Sequence, residues 1–159
     1  MKNIVGRSVA LTCVLALAAG PLQGAGAVNT TGTWKLNVAK SDYGKRPKPK
    51  EATVTIEHKE RSLKYTVTGT DGEGKPLNIQ FTGAIDGKEY PLIGSPIVAN
   101  ISVKRINDRT TESVGRSADG KVVENATVTV SADGKTFTRT AKVTLPEGSF
   151  TIKGVYEKQ

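Results

Sequence analysis

The sequence predicts an all-β protein, a single up-and-down antiparallel β-barrel of 8–10 strands. Polar and apolar residues alternate with period two over most of the chain after Pro49, which is typical of half-buried strands. Asp-Gly pairs separate the alternating segments and supply the positive φ values that tight hairpin turns need. These pairs begin at Asp71, Asp86, Asp119 and Asp133. No stretch shows a helical period, and consecutive hairpins favour a meander whose edges disappear when it closes.

The alternating segments define the predicted strands in chain order. In each one, polar or charged residues separate the apolar residues; many of them are threonine, which is β-branched and polar and suits a solvated, pleated surface. The apolar sets are Val54 and Ile56; Leu63, Tyr65 and Val67; Leu77, Ile79 and Phe81; Ile101 and Val103; Ala126, Val128 and Val130; Phe137, Ala141 and Val143; and Phe150 and Ile152.

One long irregular segment, residues 38–51, interrupts the pattern. It carries five lysines and arginines around Pro47 and Pro49, and we expect an exposed basic loop. The alternative fold is a β-sandwich, which needs long crossovers between its two sheets. Only residues 38–51 and 86–96 could serve as such crossovers, so the barrel is favoured.

Length and composition exclude several classes of protein. The 159-residue chain has 23 basic and 15 acidic residues, a net charge of +8 and a single cysteine, Cys13. This length fits one domain and not a multidomain enzyme or a polytopic membrane protein. A single cysteine excludes a disulfide scaffold.

Residues 1–27 have the features of a signal peptide. Lys2 and Arg7 precede an uncharged apolar stretch, and Ala25 and Ala27 fit a cleavage site before Val28. The apolar stretch is shorter than the roughly 20 residues that span a bilayer, which disfavours the alternative of an uncleaved anchor. We therefore expect a periplasmic or secreted barrel domain at residues 28–159, with no transmembrane segment.

Both ends of the predicted barrel carry residues with a family resemblance. Gly32-Thr33-Trp34 opens the first strand, and Tyr156, followed by two charged residues, closes the last. The chain resembles the calycin superfamily, that is, the lipocalins and fatty-acid-binding proteins. It is similar in particular to secreted bacterial lipocalin-like proteins.

The resemblance implies roles for single residues. Gly32 and Trp34 match a structural Gly-x-Trp, whose tryptophan plugs the closed end of the barrel beneath a basic side chain from a late strand. Arg139 or Lys153 is the expected cation, in a contact worth about 0.5–2 kcal/mol. Fatty-acid-binding proteins also hold the ligand carboxylate with Arg-x-Tyr near the C-terminus. Here only the tyrosine of that triplet, Tyr156, is present.

Three arginines are candidate ligand-binding residues. Arg105, Arg116 and Arg139 each lie two residues from an apolar residue of a predicted strand. If those faces line the lumen, the guanidinium groups point inward and need a partner, and an anionic ligand group would serve. Alternatively, the arginines reach the wet rim of the barrel or pair internally with Glu112.

Four aromatic residues are candidates for the lining of a pocket. Tyr65, Phe81, Phe137 and Tyr156 all fall on predicted inward faces. The alternative is that they pack as core, because small barrels are often filled by their own side chains. The sequence does not decide whether a cavity exists.

Signs of enzymatic chemistry are few. His58 is the only histidine, and we expect it at a strand end in solvent. The predicted mature chain has no cysteine, no Gly-x-Ser-x-Gly elbow and no phosphate-binding glycine loop. We predict no catalytic residues, no metal site and no cofactor.

These observations favour an exported barrel that binds a small apolar or amphipathic molecule, with an anionic group as one option. The alternative is a filled barrel whose basic surface contacts anionic envelope components or another protein. An enzyme with a lumenal active site ranks last. Nucleic acid is not expected as a partner, because an exported protein meets little of it.

Overall fold

The computed structural model describes residues 30–159, which form ten β-strands. The predicted signal peptide lies outside the described residues. The strands are β1 (Gly32–Leu36), β2 (Glu51–Lys59), β3 (Ser62–Thr70), β4 (Pro76–Ala84), β5 (Glu89–Ile93), β6 (Asn100–Asn107), β7 (Thr110–Arg116), β8 (Val123–Val130), β9 (Thr136–Leu145) and β10 (Gly148–Lys158).

The strands form one closed antiparallel barrel. Each strand pairs with its neighbour in sequence, and β10 pairs with β1 to close the sheet. In this closing ladder Trp34 lies opposite Lys158, and Leu36 lies opposite Tyr156. The predicted up-and-down barrel is confirmed, and the β-sandwich alternative is wrong because one continuous sheet returns to its first strand.

Two ends of the barrel need names. The "His58 end" carries Thr30, His58 and the turns that follow β2, β4, β6 and β8. The "loop end" carries residues 37–50 and the turns that follow β3, β5, β7 and β9. Among residues 30–159, no segment forms a helix long and apolar enough to cross a membrane.

The Asp-Gly pairs mark turns for a local chemical reason. In all four the aspartate carboxylate accepts the backbone N–H two residues on, at Glu73, Lys88, Lys121 and Lys135. In the last three turns the glycine has a φ of +79°, +70° or +68°, which a residue with a Cβ rarely adopts. The recurring Asp-Gly-Lys triplet is therefore turn chemistry.

Residues 37–50 differ from the expected solvated loop. Most of their side chains are exposed, but the backbone is anchored to β10. Asp42 exchanges two backbone hydrogen bonds with Lys153, at 2.8 and 2.6 Å. Ser41, only 3% exposed, donates its hydroxyl to the Asn37 carbonyl and accepts the backbone N–H of Val155. This anchoring brings Tyr43 to the loop end of the lumen.

Candidate functional site

The interior of the barrel contains a cavity of about 360 Å³ that reaches from the His58 end to the loop end. That volume falls within the range of known small-molecule pockets, and its walls are mainly apolar. The apolar lining includes Val54, Ile56, Leu63, Val67, Leu77, Ile79 and Val128. Among the described residues the barrel is therefore not simply filled by its own side chains.

A buried ion pair lies on the wall of this lumen. Arg139 points inward from β9 and forms an ion pair with Glu124 of β8. Its backbone lies opposite Val128, so the side chain runs along the wall past the paired Ala126 and Ala141 to reach Glu124. The two small residues leave room for this path. The side chains of Arg139 and Glu124 are 29% and 15% exposed, and both line the cavity.

The partner of Arg139 differs from the one that the sequence suggested. Glu112 faces outward and pairs with Lys104 at 3.3 Å. Glu124 was missed, although it lies in phase with the apolar residues of β8. Burial alone would lower the pKa of Arg139, but the Glu124 carboxylate and the neighbouring tyrosine oxygens raise it above its ordinary value.

Three tyrosines surround the ion pair. Burial raises the pKa of Tyr65 to about 12 and also raises the pKa of Tyr43 and Tyr156. All three therefore stay neutral phenols at ordinary pH. Together with the Arg139–Glu124 pair they form a polar cluster with no net charge, which suits a neutral hydrogen-bonding group. A ligand anion would have to compete with Glu124 for the guanidinium.

The four candidate aromatic residues divide between lining and core. Tyr65, Phe137 and Tyr156 line the cavity. Phe137 stacks on Tyr156 with ring centroids 4.6 Å apart and meets Trp34 edge-on at 4.9 Å. Phe81 is buried in the core beneath Tyr65, with the two ring centroids 5.1 Å apart.

Arg105 lies at the mouth of the lumen, at the His58 end. Its Nη2 is 3.0 Å from His58 Nε2, and His58 Nδ1 is 3.1 Å from Thr30 Oγ1. The same Nε2 lies 3.3 Å from the Glu60 carbonyl oxygen, which can only accept, whereas the Arg105 guanidinium can only donate. The shorter contact, to Arg105, assigns Nε2 as the acceptor and the ring proton to Nδ1, which donates to Thr30. Burial and the charge of Arg105 lower the pKa of His58. The expectation that His58 lies in solvent is wrong: it is half-buried and lines the lumen.

Arg116 is on the outside of the barrel. Its Nε donates to Glu89 Oε1 at 3.2 Å, and its side chain is about half exposed. The expectation that it points inward assumed that Val114 marks the inner face of β7. The lumen is instead lined by Thr111 and Ser113, so β7 has the opposite phase.

Trp34 is a core residue of β1, and the cation beside it differs from the one that was expected. Trp34 is fully buried, and its Nε1 donates to the Thr30 carbonyl at 2.9 Å. Lys158 Nζ lies 5.3 Å from the centre of the Trp34 ring, so neither Arg139 nor Lys153 is the cation. A Cβ on Gly32 would come within 3.1 Å of Lys158 Cε, which shows how closely the lysine crosses the backbone there.

The fold and the lumen define a class: a closed, ten-stranded up-and-down antiparallel barrel with an internal cavity, compatible with a calycin-like fold. The chain matches no protein-family model, and no curated protein is significantly similar to it in sequence. The likeness to calycins therefore rests on the barrel itself and on residues such as Gly32, Trp34 and Tyr156.

Proposed function

We propose that this protein is an exported binding protein that holds a small apolar or amphipathic molecule in the lumen of its barrel. The observation that carries the proposal is the cavity of about 360 Å³, whose apolar walls surround one polar cluster at Arg139 and Glu124. Ligand pockets typically combine an apolar lining with a few polar groups in this way. Export is supported by the signal-peptide features of residues 1–27.

The cavity limits the size of the ligand. Water fills about 30 Å³ per molecule in the liquid, so this volume corresponds to roughly ten to twelve water-sized groups. A ligand of that size fits entirely within the barrel. The alternative of a filled barrel that acts only through its surface loses its main premise, because the cavity is present.

Native mass spectrometry of the full chain, expressed and exported with its own N-terminal segment, tests the proposal. We expect a small molecule to co-purify, or a member of a lipid and metabolite panel to raise the melting temperature. At a ligand concentration of 100 Kd the stabilisation is about 2.7 kcal/mol, a shift of roughly 10 °C.

A pair of neighbouring substitutions shows whether binding occurs in the lumen. Ser113 faces the cavity, so Ser113→Phe adds a ring to the ligand space. Val114 is the next residue on the same strand and points to the other face, so Val114→Phe is the matched control. We expect binding to be lost in the first variant and kept in the second. The proposal is overturned if no species co-purifies and no panel member shifts the melting temperature.

A further inference from the structure

Arg139 and Arg105 both lie on strands with their side chains directed into the lumen, but they differ in their partners. Arg139 is neutralised by the Glu124 carboxylate. Arg105 is half-buried, and its side chain contacts the neutral ring of His58, with no carboxylate in ion-pair contact within the described chain. A cation that is partly withdrawn from water without a counter-charge is unfavourable. The Arg105 guanidinium therefore has unused capacity for an anion.

The barrel wall is thin beside Arg105. Strand β4 runs to Ala84, but it pairs with β5 only at Gln80–Ile93 and Phe81–Leu92. The last three residues of β4 form no ladder pair with β5, and the ladder between β5 and β6 ends at Glu89–Ser102, before the last part of β6. Residues 85–88 cover the gap, and Gly87 N–H donates to the Val103 carbonyl at 2.9 Å.

An open cleft of about 820 Å³ lies outside this thin part of the wall. His58, Ile85 and Arg105 line both the cleft and the lumen, so the two spaces meet at these three residues. A molecule could therefore place a polar group in the cleft and an apolar chain in the lumen. Arg105 stands at the boundary between the two environments.

The charges around the mouth favour one anion over several. The basic side chains there, besides Arg105, are Arg61, Lys104 and Arg109. The acidic ones are Glu60, Asp86 and Asp108. Glu112 in addition pairs with Lys104 at 3.3 Å, so the charges around the mouth sum to zero when Arg105 is included, and no surplus of positive charge is left for a second anion.

The geometry points to a headgroup site for an anionic amphiphile. A carboxylate or phosphate monoester binds Arg105 at the mouth, with an apolar chain of roughly ten carbons in the lumen. This inference rests on the proposed function and adds the charge and orientation of the ligand to it. The deep polar cluster at Arg139 does not serve as the anion site, because Glu124 already neutralises it.

Calorimetric titration of the full, exported chain with three probes of equal chain length tests this site. The probes are decanoate, decyl phosphate and decanol. We expect at least one of the two anions to bind ten-fold or more tightly than decanol, because charge-assisted bonds to a guanidinium are the strong ones. The tighter anion identifies the headgroup as carboxylate or phosphate.

Variants assign the preference to its residue. Arg105→Gln should lower the affinity for the preferred anion ten-fold or more and leave decanol binding unchanged, which also shows that the variant folds. Arg105→Lys should keep part of the preference, since it retains the charge without the planar fork. Arg116→Gln is the matched control, because Arg116 pairs with Glu89 on the outside of the barrel and lines neither the cleft nor the lumen, and its effect should stay below two-fold.

The outcomes separate this inference from the proposed function. If decanol binds as tightly as both anions, or if Arg105→Gln leaves the preference intact, the headgroup site is wrong and the lumen proposal stands. If none of the probes binds, the headgroup site is also wrong. Only the absence of both co-purifying species and melting-temperature shifts across the wider panel overturns the lumen proposal itself.

Discussion

The Arg139–Glu124 pair gives the sharpest stability prediction. Glu124→Gln keeps the size and shape of the side chain and one oxygen that can accept a hydrogen bond, but it removes the negative charge. The Arg139 guanidinium then remains enclosed in the barrel without a counter-charge. The nearby tyrosines do not replace the carboxylate, because burial raises the pKa of Tyr65 to about 12 and keeps it neutral.

The size of the effect follows from burial. Removing one partner of a buried ion pair costs about 3–5 kcal/mol. The side chains of Arg139 and Glu124 are 29% and 15% exposed, so water in the lumen can reach part of the pair. This partial hydration places the expected cost at the low end of the range of about 3–5 kcal/mol. We expect a loss of about 3 kcal/mol in the free energy of unfolding, or roughly 10 °C in melting temperature.

Urea unfolding followed by circular dichroism measures this loss. The double variant Glu124→Gln/Arg139→Gln leaves no charge unpaired. Its loss in the free energy of unfolding should therefore be smaller than the sum of the two single-variant losses by about 1–3 kcal/mol. Glu89→Gln is the control, because it breaks the exposed pair with Arg116 and should cost at most about 1 kcal/mol. A single-variant loss below about 1 kcal/mol, with additive behaviour in the double variant, would refute the reasoning.

Two further predictions concern Trp34 and His58. Trp34→Ala should lower the free energy of unfolding by about 3–5 kcal/mol in urea titrations followed by circular dichroism, because it empties a fully buried site; a loss below about 1.5 kcal/mol would contradict that packing role. Burial and the charge of Arg105 lower the pKa of His58 in the folded protein, so the unfolded chain binds a proton first as the pH falls. The contribution of His58 to stability should therefore be complete above about pH 6.5 and be lost as the pH falls through the lowered pKa. The free energies of unfolding of the wild type and of His58→Gln, measured between pH 8 and pH 5, should converge or cross as the pH is lowered. A difference between the two proteins that does not change with pH would contradict this prediction.

The strands could be predicted because two local signals agree. Alternation marks the strands, and Asp-Gly pairs mark turns whose geometry the aspartate carboxylate and the glycine determine within four residues. Strand β5, Glu89–Ile93, was not recognised, because it is short and contains Pro91. The face of β7 was assigned wrongly for a related reason. Its inward positions include Thr111 and Ser113, so neither face carries a clear apolar set and the phase cannot be read from residue types.

The site required information that the sequence does not carry locally. Glu124 lies on the inward face of β8, but its contact with Arg139 depends on the register between β8 and β9 and on the small residues between them. The anchoring of residues 37–50 joins Asp42 to Lys153, more than a hundred residues apart in sequence. The cavity itself is the difference between the space enclosed by the barrel and the summed volume of the inward side chains, which no local pattern reports.

The three candidate arginines have the same spacing from apolar residues in the sequence but lie in different environments in the structure. Replacing each of them by glutamine therefore tests whether its role is in folding or in binding. Arg139→Gln should destabilise the protein by about 3 kcal/mol, because it leaves the Glu124 carboxylate buried and unpaired. Arg116→Gln should change stability by at most about 1 kcal/mol, because that pair is exposed.

Arg105→Gln is the informative member of the series. It removes a half-buried cation that has no carboxylate partner, and the glutamine amide can still donate to His58. We therefore expect the free energy of unfolding in urea to stay within about 1 kcal/mol of the wild-type value, in either direction. A residue that contributes little to folding stability and much to anion affinity has a role in binding and not in the fold. Such groups often stabilise the complex at the expense of the free protein. If Arg105→Gln destabilises the protein as much as Arg139→Gln does, Arg105 is a structural residue and the headgroup site loses its basis.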